Sequence, residues 1–201
     1  MSVSKLRRGR AGKTEREPDV GPYASPATTS RAPLLKGGSD HRFRVLVADL
    51  FTIATRMEMV REHFGRRMGI SGPQYSIVVA VAHLQGRNGI SVGTLAQALH
   101  VSSAFIATEG GKLVRRRLLL KRVNPLDRRG VLLSIAPAGR LAVDRVSAEI
   151  RAVNDLFFGA LDASSFAALS AAAGALVESS AKAVRYIAVA KGSPQSLRDA
   201  G

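Results

Sequence analysis

The 201-residue sequence predicts a mainly α fold with a small β-hairpin, an α+β arrangement, on three observations. Apolar residues recur at seven-residue spacing over 43–64. Two short helical patterns, over 91–99 and from about 103, are separated by the break His100-Val101-Ser102. Two β-prone apolar runs, 118–123 and 131–135, flank the Pro/Asn/Asp/Gly turn Asn124-Pro125-Leu126-Asp127-Arg128-Arg129-Gly130, which is a hairpin signature.

Residues 1–40 carry Gly, Pro, Ser, Thr and Arg with almost no apolar periodicity, and eight basic against four acidic residues leave them at +4. Such a composition buries too little surface to order itself, so a disordered basic arm is expected, either adding affinity for a polyanion or dispensable. From Phe43 the pattern changes. Phe43, Leu50, Met57 and Phe64 form one seven-residue row, Leu46, Ile53 and Val60 a second, and Val47, Ala54 and Met68 widen the face. One neighbouring helix cannot cover so broad a face, so this helix is expected to pack both within its own subunit and against a partner. On this reading 41–70 and 137–191 form a helical dimerisation region, 71–136 a second domain, and 192–201 a frayed polar tail.

Ser71-Gly72-Pro73-Gln74 reads as a capping box with proline in the first turn, opening a helix through Tyr75, Ile77, Val78, Val81 and Leu84. Gln85-Gly86-Arg87-Asn88-Gly89 closes it, and Ile90 is placed to form a very short strand beside the hairpin. Ser91 can cap a helix with Leu95, Ala96 and Leu99 on its apolar side. A second short helix begins near Ser103 and ends in Lys112, Arg115, Arg116 and Arg117. After the hairpin, Pro137 opens a long helix through Leu141, Val146, Ile150, Val153, Leu156 and Phe157. Asp162 can cap a last helix with Phe166, Leu169, Ala173, Leu176 and Ile187 on its buried side.

Two short helices at a turn, followed by a hairpin with an arginine-loaded tip, make a winged helix-turn-helix, a geometry that sets one helix into a DNA major groove. The charge agrees. Over 112–129 eight Lys/Arg stand against one Asp, a net +7 in 18 residues, out of +15 for the whole chain. A cluster that dense repels itself unless phosphates or counterions neutralise it.

Composition excludes other classes. With no cysteine there are no disulfides, thiolate metal sites or thiol switches. The four histidines, His41, His63, His83 and His100, lack metal-ligand spacing, so no metal is expected. Gly110-Gly111-Lys112 lies inside a helix and lacks the spacing of a phosphate loop. No serine or carboxylate constellation points to catalysis, and no cofactor motif is present, so an enzyme is not expected. No apolar run reaches the ~18 residues of a membrane span, and no apolar segment follows the basic N-terminus as a secretory signal requires, so a cytoplasmic protein without membrane contact is expected.

The order of elements resembles the multiple antibiotic resistance regulator (MarR) family over roughly 43–191. Asn124-Pro125-Leu126-Asp127-Arg128-Arg129, running into Val131-Leu132-Leu133-Ser134-Ile135-Ala136-Pro137-Ala138-Gly139-Arg140, is similar to that family's wing signature D/N-P-x-D-R-R and the strand and helix start after it. Ile70-Ser71-Gly72-Pro73-Gln74-Tyr75 is similar to its L-T-x-x-Q-F/W entry to the second helix. Thr94-Leu95-Ala96-Gln97-Ala98-Leu99-His100-Val101-Ser102 matches x-L-A-x-x-L-x-V-S. The resemblance implies a homodimeric transcription regulator of pseudo-palindromic double-stranded DNA, commonly a repressor. Its first and last helices would intertwine, and a small-molecule effector would release the DNA. It also implies that Arg128 or Arg129 reaches the minor groove, which suits a planar guanidinium, with Asp127 holding the tip's shape.

The recognition helix departs from the family's S-T-V-T-R-L-V-D-R-L, reading Ala104-Phe105-Ile106-Ala107-Thr108-Glu109-Gly110-Gly111-Lys112-Leu113. Ala104, Phe105, Ala107 and Thr108 take the groove-facing places, leaving Ser103, Thr108 and Lys112 as hydrogen-bonding candidates. Alanine and phenylalanine can touch thymine methyls but do not discriminate guanine. Gly110 and Gly111 each weaken the helix by about 0.8–1 kcal/mol relative to alanine. Glu109 stands where an apolar residue is expected and would repel phosphates if exposed, Arg117 replaces the usual C-terminal glycine, and Ala136 replaces a capping threonine. Affinity is then expected from phosphate contacts by Lys112, Arg115, Arg116, Lys121 and Arg122. His63, Phe64, Arg67 and Tyr75, at the junction of the first two helices, are the candidates for a pocket taking a small aromatic or anionic effector. Two rivals remain open: a loosely sequence-specific DNA-coating protein, and a protein-interaction dimer that has lost DNA binding.

Overall fold

The computed structural model describes residues 25–191 except 126; of 127–129, 190 and 191 it describes the backbone alone. The sequence readings for residues 1–24 and for the tail from Gly192 lie outside the described residues. The chain divides between His63 and Phe64 into two compact units.

The first unit contains a short 3-10 turn, Ala32–Leu34, and most of α1 (His41–Arg67). Asp40 organises its start. The Thr28 backbone N–H and hydroxyl both donate to Asp40 Oδ2, at 2.6 and 2.7 Å, and Arg44 Nη2 lies 3.1 Å from Oδ1. The backbone hydrogen bond from Thr28, then its hydroxyl, hold the carboxyl below the usual aspartate range despite burial. A carboxylate preceding a helix also meets the positive end of its dipole. Residues 25–40, which composition assigns to an unordered arm, therefore carry specific structure, including a Lys36–Ser39 bridge. Part-buried hydrogen bonds to one carboxylate tie this stretch together without an apolar core. Along α1, the seven-residue rows are exposed at Leu46, Leu50, Ile53 and Met57, half-buried at Phe43 and Val60, and buried only at Phe64. Val45, Leu46, Leu50, Phe51, Ile53, Met57 and Met59 are all exposed, Phe51 to 71%.

The second unit is built on a three-stranded antiparallel sheet of order β1-β3-β2, with β1 (Ile90–Ser91), β2 (Leu119–Asn124) and β3 (Asp127–Ile135). Ile90 pairs with Leu133, as its isolated apolar position predicts, and β2 pairs with β3 from Leu119↔Ile135 to Val123↔Val131. The register then shifts to Asn124↔Asp127 at the tip. Three helices cover this sheet: α2 (Gly72–Leu84), α3 (Val92–Ala98) and α4 (Ser103–Arg115). Ile77, Val78 and Val81 of α2, Leu95 of α3, Ile106 and Leu113 of α4 and Leu119, Leu133 and Ile135 of the sheet form one buried cluster. The helix starts are those the sequence signals. Ser71 and Gln74 form the reciprocal box, Ser91 Oγ accepts from the Thr94 N–H at 3.0 Å, and Ser102 Oγ accepts from the Phe105 N–H at 3.1 Å.

Two long helices follow, α5 (Pro137–Phe158) and α6 (Ala163–Lys191). Ala136 gives α5 no side-chain cap, but its N–H donates to the Leu118 carbonyl at 3.0 Å and Gly139 lies against the same carbonyl. Asp162 caps α6 as expected, accepting the Ser165 N–H at 2.8 Å. The expected buried side of α6 is not buried within the chain. Phe166, Leu169, Leu176 and Ile187 are exposed, as is every other α6 residue whose side chain is described. Its apolar face is periodic, and the described residues of its own unit leave it uncovered. No single described helix is long and apolar enough to cross a membrane.

The approach of α5 to the start of β2 gives a test. A Cβ on Gly139 would lie 2.1 Å from the Leu118 backbone oxygen, closer than any real contact. Gly139→Ala should lower unfolding free energy by about 1–3 kcal/mol in urea denaturation. Unchanged stability would mean that α5 can shift away without cost.

Candidate nucleic-acid interface

Helix α4 presents two faces because its apolar residues are spaced for burial on one side. Ile106, Gly110 and Leu113 are buried, while Ser103, Ala104, Ala107, Thr108, Lys112 and Arg115 are exposed. Of the groove-facing residues read from sequence, Phe105 needs correction: it is half-buried and packs against the core cluster beside Ile106, so its ring is not a free reading surface. Arg116, Lys121 and Arg122 are exposed as expected, but Arg122 Nη2 donates to the Asn88 carbonyl and so ties β2 to the loop after α2. The side chains of Asp127, Arg128 and Arg129 lie outside the described residues; the strand register places their backbone at the hairpin tip.

The glycines that weaken α4 have different surroundings. A Cβ on Gly110 would meet Leu133 Cδ1 at 3.2 Å, whereas one on Gly111 would touch only Arg115 Nη1 at 3.8 Å. Gly110 therefore lets the helix sit close against β3, and Gly111 has no such packing reason. An open cleft of about 90 Å³ remains beside them, walled by Val92, Ile106, Val131 and Leu133 with Lys121 at its edge.

Glu109, which would repel phosphates if exposed, takes the inward place that its position among apolar residues suggests. Its side chain is only 15% exposed. Oε2 accepts from Gln74 Nε2 at 2.8 Å and Oε1 accepts from Lys112 Nζ at 2.5 Å. The hydrogen bond from Lys112, then that from Gln74, hold its carboxyl below the usual glutamate range. Gln74, 8% exposed, comes from the first turn of α2, so this contact crosses the helical layer. Glu109 and Lys112 stand three apart and could have been paired by helical spacing. The third member, Gln74, carries no local signal.

Both short helices end in a left-handed residue that is not glycine, His100 (φ 53°) after α3 and Arg117 (φ 58°) after α4. At the second, the Leu118 N–H donates to the Leu113 carbonyl and the Arg117 N–H to the Val114 carbonyl, the paired bonds of a Schellman end. Arg117 thus fills the glycine place at a conformational cost and turns the chain directly into β2.

No family model matches the chain, and no curated protein matches it. Solved structures do. AbsC, a MarR family transcriptional regulator from Streptomyces coelicolor, aligns with TM-score 0.60 at 17% identity over 67% of this chain and 91% of its own. The MepR–DNA complex from S. aureus aligns with TM-score 0.56 at 14% identity over 66% and 96%. This chain has the MarR-type fold. The PcaV regulator of Streptomyces coelicolor in complex with its natural ligand aligns with TM-score 0.51 at 24% identity over 63% and 90%.

The MarR-type frame locates the remaining sequence-assigned residues. His63 belongs to the first unit and Phe64, Arg67 and Tyr75 to the second. Phe64 is fully buried and stacks on Tyr75, with centroids 5.7 Å apart, so its ring serves the core. Burial raises the Tyr75 hydroxyl above the ordinary phenol range. Arg67 Nε lies 3.2 Å from Glu149 Oε2.

Two predictions follow from this geometry. An L-residue in the left-handed region costs about 1–2 kcal/mol, and glycine's entropy returns part of that difference. Arg117→Gly should therefore gain about 0.5–1 kcal/mol of unfolding free energy, read from the urea midpoint; a loss would mean that the arginine side chain makes a stabilising contact. Glu109's folded carboxyl titrates below its ordinary 4.5, so its contribution is fully present above that pH and is lost as pH falls through the lowered value. The stability gap between wild type and Glu109→Gln should be widest at neutral pH and shrink below about 4.5; a pH-independent gap would assign the effect to packing.

Proposed function

We propose that this chain is a non-enzymatic MarR-type transcription regulator, a homodimer that binds pseudo-palindromic promoter DNA and represses until a small aromatic or anionic effector releases it. The observation that carries the reading is the exposed face of α4, Ser103, Ala104, Ala107, Thr108, Lys112 and Arg115, continued by exposed Arg116 and Lys121. Such a face supplies phosphate affinity together with a few base-edge contacts. Arg128 and Arg129 enter as minor-groove contacts through their place at the hairpin tip, with Asp127 shaping it.

The apolar faces of α1 and α6 support dimerisation, because exposed patches of this extent mark contact surfaces. Effector release draws on Arg67 and Tyr75 and on His63 and Phe64 as sequence candidates, and on PcaV, whose complex holds its natural ligand. Alanine at 104 and 107, with the Phe105 ring turned to the core, favours the second reading, a loosely sequence-specific DNA-coating protein.

Binding to the DNA upstream of its own gene and to a shuffled duplex of equal length, at two salt concentrations, separates the readings. A specific regulator should prefer the upstream duplex by about 10³-fold or more and lose most of that affinity in Arg128→Ala/Arg129→Ala. Equal binding to both duplexes selects the coating protein, and no binding at either salt selects the protein-interaction dimer. In sedimentation, wild type should run at twice the chain mass. Ile53→Glu/Leu176→Glu should run as a monomer, and an unchanged dimer would remove these faces from the interface.

A further inference from the structure

Besides Arg122, which is tied to the Asn88 carbonyl, the basic surface contains a cation whose charge is already met by a carboxylate. Lys112 lies on the exposed side of α4 among the DNA-facing residues, yet its ammonium is 2.5 Å from the Glu109 carboxylate. An ordinary exposed pair three residues apart on a helix is weak, since both side chains must be ordered to form it. This pair differs because Glu109 is pre-positioned. Its second oxygen accepts from Gln74 Nε2 at 2.8 Å, and Gln74 is itself buried, with its Oε1 accepting from the Ser71 N–H. The carboxylate is therefore held by the start of α2 from one side and faces Lys112 on the other. The lysine side chain is 47% exposed and the carboxylate 15%, so the lysine is the freer of the two partners.

Resting on the DNA-binding reading, we propose that Glu109 is a positioning residue that withholds Lys112 from the DNA backbone and so lowers the phosphate affinity of the recognition helix. A phosphate reaching this ammonium would have to bring its own charge toward a fixed carboxylate, and the repulsion offsets the attraction. Lys112 is then steered by protein and contributes less counterion release than the unpaired cations Arg115, Arg116 and Lys121. Among the described residues no acid is recorded beside those three. In this way the basic surface that begins at the end of α4 carries a built-in limit on non-specific attraction.

The test measures binding of the full-length protein to a random-sequence duplex across a series of salt concentrations, for wild type, Glu109→Gln, Lys112→Met and the double variant. Glutamine keeps the shape and an acceptor for Gln74, and Glu109→Leu serves as a second variant should the amide disturb folding. Freeing Lys112 adds one phosphate contact, so either single Glu109 variant should tighten binding several-fold at low salt and steepen the slope of log K against log salt by about 0.9. Lys112→Met should cost several-fold more affinity in the Glu109→Gln background than in wild type. A purely structural role for Glu109 would leave the slope unmoved. Unchanged slopes, or a gain that persists with Met at 112, overturn the inference while leaving DNA binding intact; failure of wild type to bind any duplex at low salt overturns both.

Discussion

The seating of α4 on β3 is the contact on which the site depends. Ile106 and Leu113 reach the buried cluster one turn either side of Gly110, and Gly110 lets the helix backbone approach Leu133. Leu133 in turn pairs across the sheet with Ile90 on one side and Lys121 on the other. One residue of the central strand therefore sets the distance between the helix that carries Thr108 and Lys112 and the hairpin that carries Lys121. Protein interiors are packed tightly enough that such a contact transmits position rather than absorbing it. Close approach explains why a glycine that weakens the isolated helix is tolerated at this place: packing replaces what propensity loses.

Around that seat, long polar contacts complete what apolar packing leaves open. The Gln85 side-chain oxygen accepts the Ile135 N–H at 2.8 Å, Arg122 reaches the Asn88 carbonyl, and Gln74 reaches Glu109. Each joins a helix or loop to an element at least 34 residues away in sequence. A buried amide left without a partner costs about 1–3 kcal/mol, so these contacts restrict how the winged unit can assemble. The basic surface is thereby mounted on a scaffold joined by these contacts, with Glu109 divided between scaffold and surface.

The two long apolar faces obey a different constraint. Side chains such as Phe51 on α1 and Leu176 on α6 keep helical periodicity and yet remain exposed. Periodicity is imposed by what a face must eventually meet. Within each unit the described residues leave these faces uncovered, so their periodicity is not accounted for by packing inside either unit.

Much of the frame was legible in the sequence because its signals are local. Capping serines at 71 and 91 and the break at 100–102 act through neighbours a few residues away, and the observed helices start and stop with them; β3, by contrast, begins at Asp127, inside the turn read over 124–130, because pairing with β2 carries the ladder further toward the tip. Of the site, the exposed residues at 103, 104, 107, 108, 112 and 115 were legible for the same reason, since helical spacing alone separates them from Ile106 and Leu113. What the sequence by itself determined was the order of elements, the buried side of each short helix and the concentration of positive charge. Tertiary structure alone decided that Phe105 turns to the core, that Gly110 is a point of contact, that Asp40 orders the residues before α1, and that Glu109 is shared between Gln74 and Lys112. The physical reason is distance along the chain: periodicity and caps report which side of an element is apolar, but the partner that meets that side is chosen by the packing of elements far apart in sequence.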